Sequence, residues 1–256
     1  MIHPTAVIDP TARLAAGVQV GPYSVIGRDV EIGEDTWIGP HVVINGPTRI
    51  GRECKIYQFG SIGDHPQDKK YNGEATRLEI GDRNVIRECC TINRGTVQDR
   101  GVTTIGDDNW IMAYVHIAHD CLVGNNTIFA NNASLAGHVT IGDYAILGGF
   151  TLVHQFCAIG AHAFTGMGSV VSMDVPPYVM VAGNLAKPHG LNSEGLRRRG
   201  MTAETLRTLK QAYKTLYRSG NTLEQAIEQL APVGQTCPEV ASFVDFLSHV
   251  KRGVAR

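Results

Sequence analysis

No stretch of this 256-residue chain offers 18 consecutive apolar residues, which excludes a membrane-spanning helix and leaves no basis for stable membrane insertion. Charge of either sign is not in excess: 23 Lys and Arg against 24 Asp and Glu give a formal net charge of −1. Nothing in that balance answers to a nucleic-acid backbone, so no nucleic-acid partner is expected. The six cysteines include no Cys-x-x-Cys spacing, so the usual redox and zinc-ribbon signatures are missing. No basic and apolar leader precedes the first repeat, because Ile2 already belongs to it; a secretory signal is therefore not expected, and a cytoplasmic protein is.

What the chain has instead is a period of six. Branched aliphatics stand at Ile2, Ile8, Leu14, Val20 and onward to Ile62, again at Ile80, Ile86 and Ile92, and then from Ile105 to Val171. Of these 26 positions, 24 are Ile, Leu or Val; Phe129 and Thr165 are the exceptions. A helix of period 3.6 cannot hold such residues on one face, whereas short strands that turn every six residues can. The pattern predicts a mainly β fold, a parallel β-helix in which each hexad forms one side and three sides make a coil. Hydrogen-bonded strand spacing sets the rise at about 4.8 Å per coil. Cys54, Cys90, Cys121 and Cys157 fall at the small, core-facing position of their hexads and read as buried structural thiols.

The phase breaks twice. Eighteen residues separate Ile62 from Ile80, and the polar, turn-rich content of 64–79 favours an external loop. Thirteen separate Ile92 from Ile105, one more than two hexads, so a bulge or second loop is expected near 94–104. After Val171 the pattern becomes helical: Asn192 caps a short helix, Thr202 opens one reaching about Arg218, Thr222 and Gln225 have capping-box form, and Pro238 begins a last helix. The expected organisation is a β-helix over 1–186 and an α-helical domain over 187–256. Residues 1–186 hold 12 basic against 18 acidic side chains and residues 187–256 hold 11 against 6, so the helical domain is basic and suits an acidic protein or a phosphorylated ligand.

His116, His119, His138, His154 and His162 crowd into three coils. Residues 18 apart share a column, so His119 lies beneath Gly137, which lies beneath Gln155, and Asp120 shares a column with His138. A His facing a glycine has open space and an accessible backbone N–H above it, a sensible place for a general base beside an oxyanion donor.

Five segments carry a resemblance: His116-Ile117-Ala118-His119-Asp120, Leu135-Ala136-Gly137-His138-Val139, Val153-His154-Gln155-Phe156, the run from Gln67 to Glu74, and the run from Asn192 to Gly200. In this order they resemble the UDP-N-acetylglucosamine acyltransferases, over essentially the whole chain. The resemblance implies a left-handed winding and a homotrimer. It also implies transfer of an (R)-3-hydroxyacyl group from acyl carrier protein to the glucosamine 3-hydroxyl of UDP-N-acetylglucosamine, the first step of lipid A biosynthesis. His119 would be the general base, Asp120 its partner, and the Gly137 N–H the oxyanion donor. Asp68, Lys70, His116, His138, His154, Gln155, Asn192, Glu194, Arg198 and Arg199 would bind substrate, with residues of one cleft drawn from different chains. No cofactor or metal is expected, since the phosphopantetheine thioester of the carrier is itself a substrate.

The resemblance also makes Met167 an acyl-length ruler. At the strand spacing, Met167 stands about 13 Å past His119 and about 8 Å past Gly137 along the axis. With about 1.25 Å of advance per carbon, roughly six to ten carbons fit, and a ten-carbon chain is expected. Asn93 departs from the family, which usually shows His there. Rival readings are a zinc enzyme of the γ-carbonic anhydrase kind, though no His pair has its spacing, and a non-catalytic scaffold. The N-acyltransferases that act later in the same pathway carry an additional N-terminal domain, for which hexads starting at Ile2 leave no room. The same base would serve a 3-amino acceptor as well as a hydroxyl.

Overall fold

Each hexad from Ile8 to Val171 forms a strand of two to four residues, and successive strands pass in rotation to three parallel sheets. The structure, a computed structural model, describes residues 1–256. The first face runs from Val7–Ile8 to Val170–Val171 in nine strands, and the second from Arg13–Leu14 to Ala158–Ile159 in eight. The third runs from Gln19–Val20 through Phe164–Thr165 and is closed by Val179–Ala182. The result is a left-handed parallel β-helix. Register keeps the hexad aliphatics stacked, as in Ile8↔Ile26, Ile117↔Leu135 and Ile141↔Ile159.

Those aliphatics are the interior: Ile38, Ile44, Ile56, Ile62, Ile86, Ile92, Ile111 and Ile117 are fully buried. At about 1.5–3 kcal/mol for each such side chain, this ladder is the main favourable contribution to folding. The four hexad cysteines are buried with it, and burial pushes the Cys90 and Cys121 thiols up to about 12. Chain direction changes at the corners through residues of positive φ, among them Asp120, His138, Phe156, Tyr144 and His162.

Both phase breaks are loops, and both leave at the corner between the first and second faces. Ile62 and Ile80 are on consecutive faces, with Ile62↔Ile92 and Ile80↔Ile105 in register, so the segment 65–76 is an insertion into one hexad step. The second break has a different arithmetic from the one expected. Ile92 and Ile105 also occupy consecutive faces, so 94–101 is a whole inserted loop within one hexad step and not a bulge added to two.

The C-terminal part has four helices: α1 (Ser193–Arg198), α2 (Ala203–Tyr217), α3 (Leu223–Gly234) and α4 (Pro238–Ser248). Asn192, Thr202 and Thr222 cap the first three, the last with a complete capping box, and Pro238 stands at the start of α4. Lys187–Leu191, placed by the sequence reading in the helical domain, is a strand that pairs antiparallel with Val179–Ala182. Helix residues Leu206, Leu209 and Phe243 share one continuous core with the coil interior.

Candidate active site

The corner between the first and second faces carries His119 and Asp120, with Gly137 and His138 one coil above and Gln155 and Phe156 above those. Asp120 is almost wholly buried and heavily bonded. Its carboxylate accepts the Thr96 N–H at 2.9 and 3.1 Å, the Thr96 hydroxyl at 2.6 Å and His119 Nδ1 at 2.9 Å. Burial pushes this carboxyl up, but the bonds from His119 and Thr96 outweigh it and hold Asp120 below the usual carboxylate range. An ionised Asp120 fixes the proton of His119 on Nδ1 and leaves Nε2 as the basic nitrogen.

Gly137 stands directly over this ring. A Cβ there would lie 2.5 Å from His119 Cε1 and 2.7 Å from Nε2, so only glycine admits the imidazole. No group of the chain accepts from the Gly137 N–H, which remains available to a ligand oxygen. His138 meets the His119 ring edge-on at 5.0 Å, stacks on Phe156 at 4.4 Å, and bonds through Nδ1 to Asp99 at 2.7 Å.

These groups open onto a groove of about 1190 Å³, lined also by Asp68, Lys70, Arg100, Gln155, by Ser242, Asp245 and Phe246 of α4 and by residues 249–251 just after it. The loop that carries Asp68 and Lys70 is anchored from below. Asn93 Nδ2 donates to the His65 carbonyl at 2.8 Å, and the Arg94 guanidinium, 5% exposed, donates to Tyr71 Oη at 3.2 Å and to the Gly46 carbonyl. The departure at Asn93 thus falls on a loop anchor and not on the base. One ligand atom each from His119, Asp120 and His138 lie within 4.8 Å of one another, a set able to hold a metal ion.

The family described as UDP N-acetylglucosamine O-acyltransferase, domain 2, matches residues 174–255, and the bacterial transferase hexapeptide repeat matches 29–59 and 103–137. An acyl-[acyl-carrier-protein]–UDP-N-acetylglucosamine O-acyltransferase of Thiobacillus denitrificans is 64% identical over 255 residues, covering 100% of this chain and 99% of its own. The chain belongs to this acyltransferase family. Among solved structures, the UDP-N-acetylglucosamine acyltransferase of Francisella novicida superposes with a TM-score of 0.98 at 44% identity, covering 100% of this chain and 94% of its own. The Acinetobacter baumannii structure gives 0.97 at 49%, covering 100% and 99%.

The acyltransferase fold distributes the expected site residues over three corners. His119, Asp120, Gly137, His138 and Gln155 share the first corner with Asp68 and Lys70. His154 lies exposed beside Gln155, and His116 is half-buried on the first face, its Nδ1 on Thr91 Oγ1 at 2.7 Å. Burial, and secondarily the neighbouring His119, pushes the His116 pKa down. Asn192, Glu194, Arg198 and Arg199 sit instead at the corner between the second and third faces. There Asn192 accepts from the Gly195 N–H and donates to the His162 carbonyl, Glu194 pairs with Arg197 and Arg198, and Arg199 covers the Tyr144 ring at 4.3 Å. Met167, 82% exposed, stands at the remaining corner, between the third and first faces. The axial rise used for the ruler is compatible with this placement, but one chain does not turn Met167 toward His119.

Thr96, Asp99 and Arg100 were missed by the sequence reading. The thirteen-residue gap marked their loop, but not that it returns to the corner of His119. The α4 wall was missed as well, because helical spacing does not say which strands a helix covers.

Proposed function

We propose that this chain transfers an (R)-3-hydroxyacyl group from acyl carrier protein to the 3-hydroxyl of UDP-N-acetylglucosamine, the first step of lipid A biosynthesis. His119 Nε2 takes the hydroxyl proton while the oxygen attacks the thioester carbon. The carbonyl oxygen becomes anionic against the Gly137 N–H. The C–S bond then breaks, and the imidazolium returns the proton to the departing thiolate. Asp120 holds the ring and stabilises its charged form; its bond to Nδ1 at 2.9 Å, beneath a glycine with a free N–H, is the observation that carries this reading. The thioester supplies the driving force, so no cofactor is required. Both substrates belong to the cytoplasm, which is where the enzyme would act.

The three corners support a homotrimer in which each cleft takes its base from one copy and Met167, with Asn192, Glu194, Arg198 and Arg199, from others. Arg198 and Arg199 suit the nucleotide diphosphate. Met167 would then close the acyl channel at ten carbons. Mass spectrometry of products from a panel of 3-hydroxyacyl carrier proteins tests both points. A 3-O-acylated sugar nucleotide formed best from the ten-carbon donor, with a shift to longer donors in Met167→Gly, is expected. Unchanged selectivity in that variant ends the ruler, and full activity in His119→Ala ends the base.

The metal-sized set of His119, Asp120 and His138 favours a second reading, a metal-dependent hydratase or hydrolase with one atom of each as ligand. Stoichiometric zinc in the purified protein, with activity lost on chelation, would establish it in place of base catalysis.

A further inference from the structure

Asp174, just past the last hexad, is 1% exposed, and its carboxylate is fully engaged. Oδ1 accepts the Ala158 N–H at 2.7 Å, while Oδ2 accepts the Lys251 and Arg252 N–H groups at 2.9 and 3.2 Å. The backbones join too, Asp174 N–H to the Gly253 carbonyl at 2.8 Å and Ala255 N–H to the Asp174 carbonyl at 2.9 Å. Val254 and Ala255 are buried alongside. The end of the chain is therefore latched to the β-helix wall of the groove, where Asp174 and Lys251 line the same cavity as His119.

The latch sets the Arg252 guanidinium against the His154 ring, Nη2 to Nδ1 at 3.4 Å. No carboxylate pairs with Arg252, whose guanidinium neighbours only the His154 ring and the Cys157 thiol. An unpaired guanidinium fixed beside a cleft is suited to a phosphate.

We infer that Arg252 binds the diphosphate of the sugar nucleotide beside the Arg198 and Arg199 that a neighbouring copy brings to the cleft, and that Asp174 is the positioning residue that holds it there. The inference rests on the transfer reaction proposed above. Its choice of phosphate comes from distance. His154 is at the level of Gln155, two coils above His119, or about 10 Å along the axis. In a sugar nucleotide the 3-oxygen lies roughly 6–8 Å from the two phosphorus atoms by ordinary bond lengths. In the carrier's prosthetic arm, thirteen bonds separate thioester sulfur from phosphorus, about 16 Å when extended. With its hydroxyl on the base, the sugar nucleotide sets its phosphates about 2–4 Å short of the His154 level, whereas an extended carrier arm sets its phosphate about 6 Å beyond it.

Initial rates with both substrates varied test this. In Arg252→Gln the KM for UDP-N-acetylglucosamine should rise about tenfold, the scale of one charge-assisted hydrogen bond, with kcat and the carrier KM little changed. Arg252→Lys should recover part of the loss. Asp174→Asn should raise the same KM, and should add little when combined with Arg252→Gln. An unchanged sugar-nucleotide KM in Arg252→Gln, or a rise confined to the carrier, overturns the inference while leaving the reaction intact. Absence of transfer by the unsubstituted enzyme overturns the reaction itself.

Discussion

Gly137→Ala should disable the site without harming the fold. The added methyl would stand 2.5 Å from His119 Cε1 and 2.7 Å from Nε2, while carbon contacts are comfortable at about 3.5–4.0 Å. The ring must therefore retreat by about 1 Å. Asp120 cannot follow it, because Thr96 and Thr103 hold the aspartate by side chain and backbone. Misplacing a catalytic group by 1 Å costs about a hundredfold, or about 2.7 kcal/mol in the barrier. The backbone at Gly137 has no positive φ, so alanine brings no conformational strain, and the loss of stability should stay near that of one charge-assisted hydrogen bond, about 1.5–3 kcal/mol. Steady-state rates and thermal melting of Gly137→Ala measure the two effects. Gly60→Ala is the control, since its Cβ would meet nothing closer than 3.4 Å. If Gly137→Ala keeps half of the original kcat, the packing of His119 against this residue does not govern catalysis.

Two further outcomes follow from the charge states. Asp120 has a folded pKa below its unfolded value of about 3.9, so the stability it contributes is present above that pH and is lost as pH falls through the folded value. Asp120→Asn should accordingly be destabilised at pH 7, and urea titrations should show the gap from the unsubstituted protein closing below about pH 4; a gap independent of pH would refute the ionised assignment. Burial pushes the Cys54 and Cys157 thiols up to about 11, and Cys90 and Cys121 to about 12, so a thiol reagent at pH 8 should label Cys89 and Cys237 first and the other four only on unfolding. Mass mapping of the labelled sites checks it.

The coil and the core of the site were legible in the sequence because a strict period converts residue number into position. Once Ile117, Leu135 and Val153 are known to stack, the contact of His119 with Gly137 follows by addition. Arithmetic fails where the period fails. The number of residues between Ile92 and Ile105 is compatible with a bulge or a loop, and only the pairing of Ile80 with Ile105 shows that one hexad step was stretched. Thr96, Asp99 and Arg100 lay in that blind segment. The helix caps were readable from local chemistry, whereas the latching of the tail by Asp174 joins residues 77 and 78 positions apart, with no repeat to relate them. Met167 was placed by height alone, and height does not specify a corner.

That last distinction separates two accounts of chain-length control. Met167 is beside the first face, whose outward Val7, Val25, Val43 and Leu152 are exposed together with corner aromatics Tyr23, Phe59, Tyr114 and Phe150. Apolar side chains aligned along one edge form a stripe that another copy would cover, and a three-fold arrangement of identical prisms brings unlike corners of neighbours together. In the proposed trimer a cleft therefore combines His119 of one copy with Met167 of another. Mixed oligomers decide the matter. Met167→Gly chains assembled with an excess of His119→Ala chains keep a working base only on the former, and most of those bases then face an intact Met167 from the latter. Product analysis should show the mixture returning to the ten-carbon preference, although every active chain carries glycine at position 167. A ruler acting within its own chain predicts the reverse, with long-chain selectivity undiminished by the inactive partner.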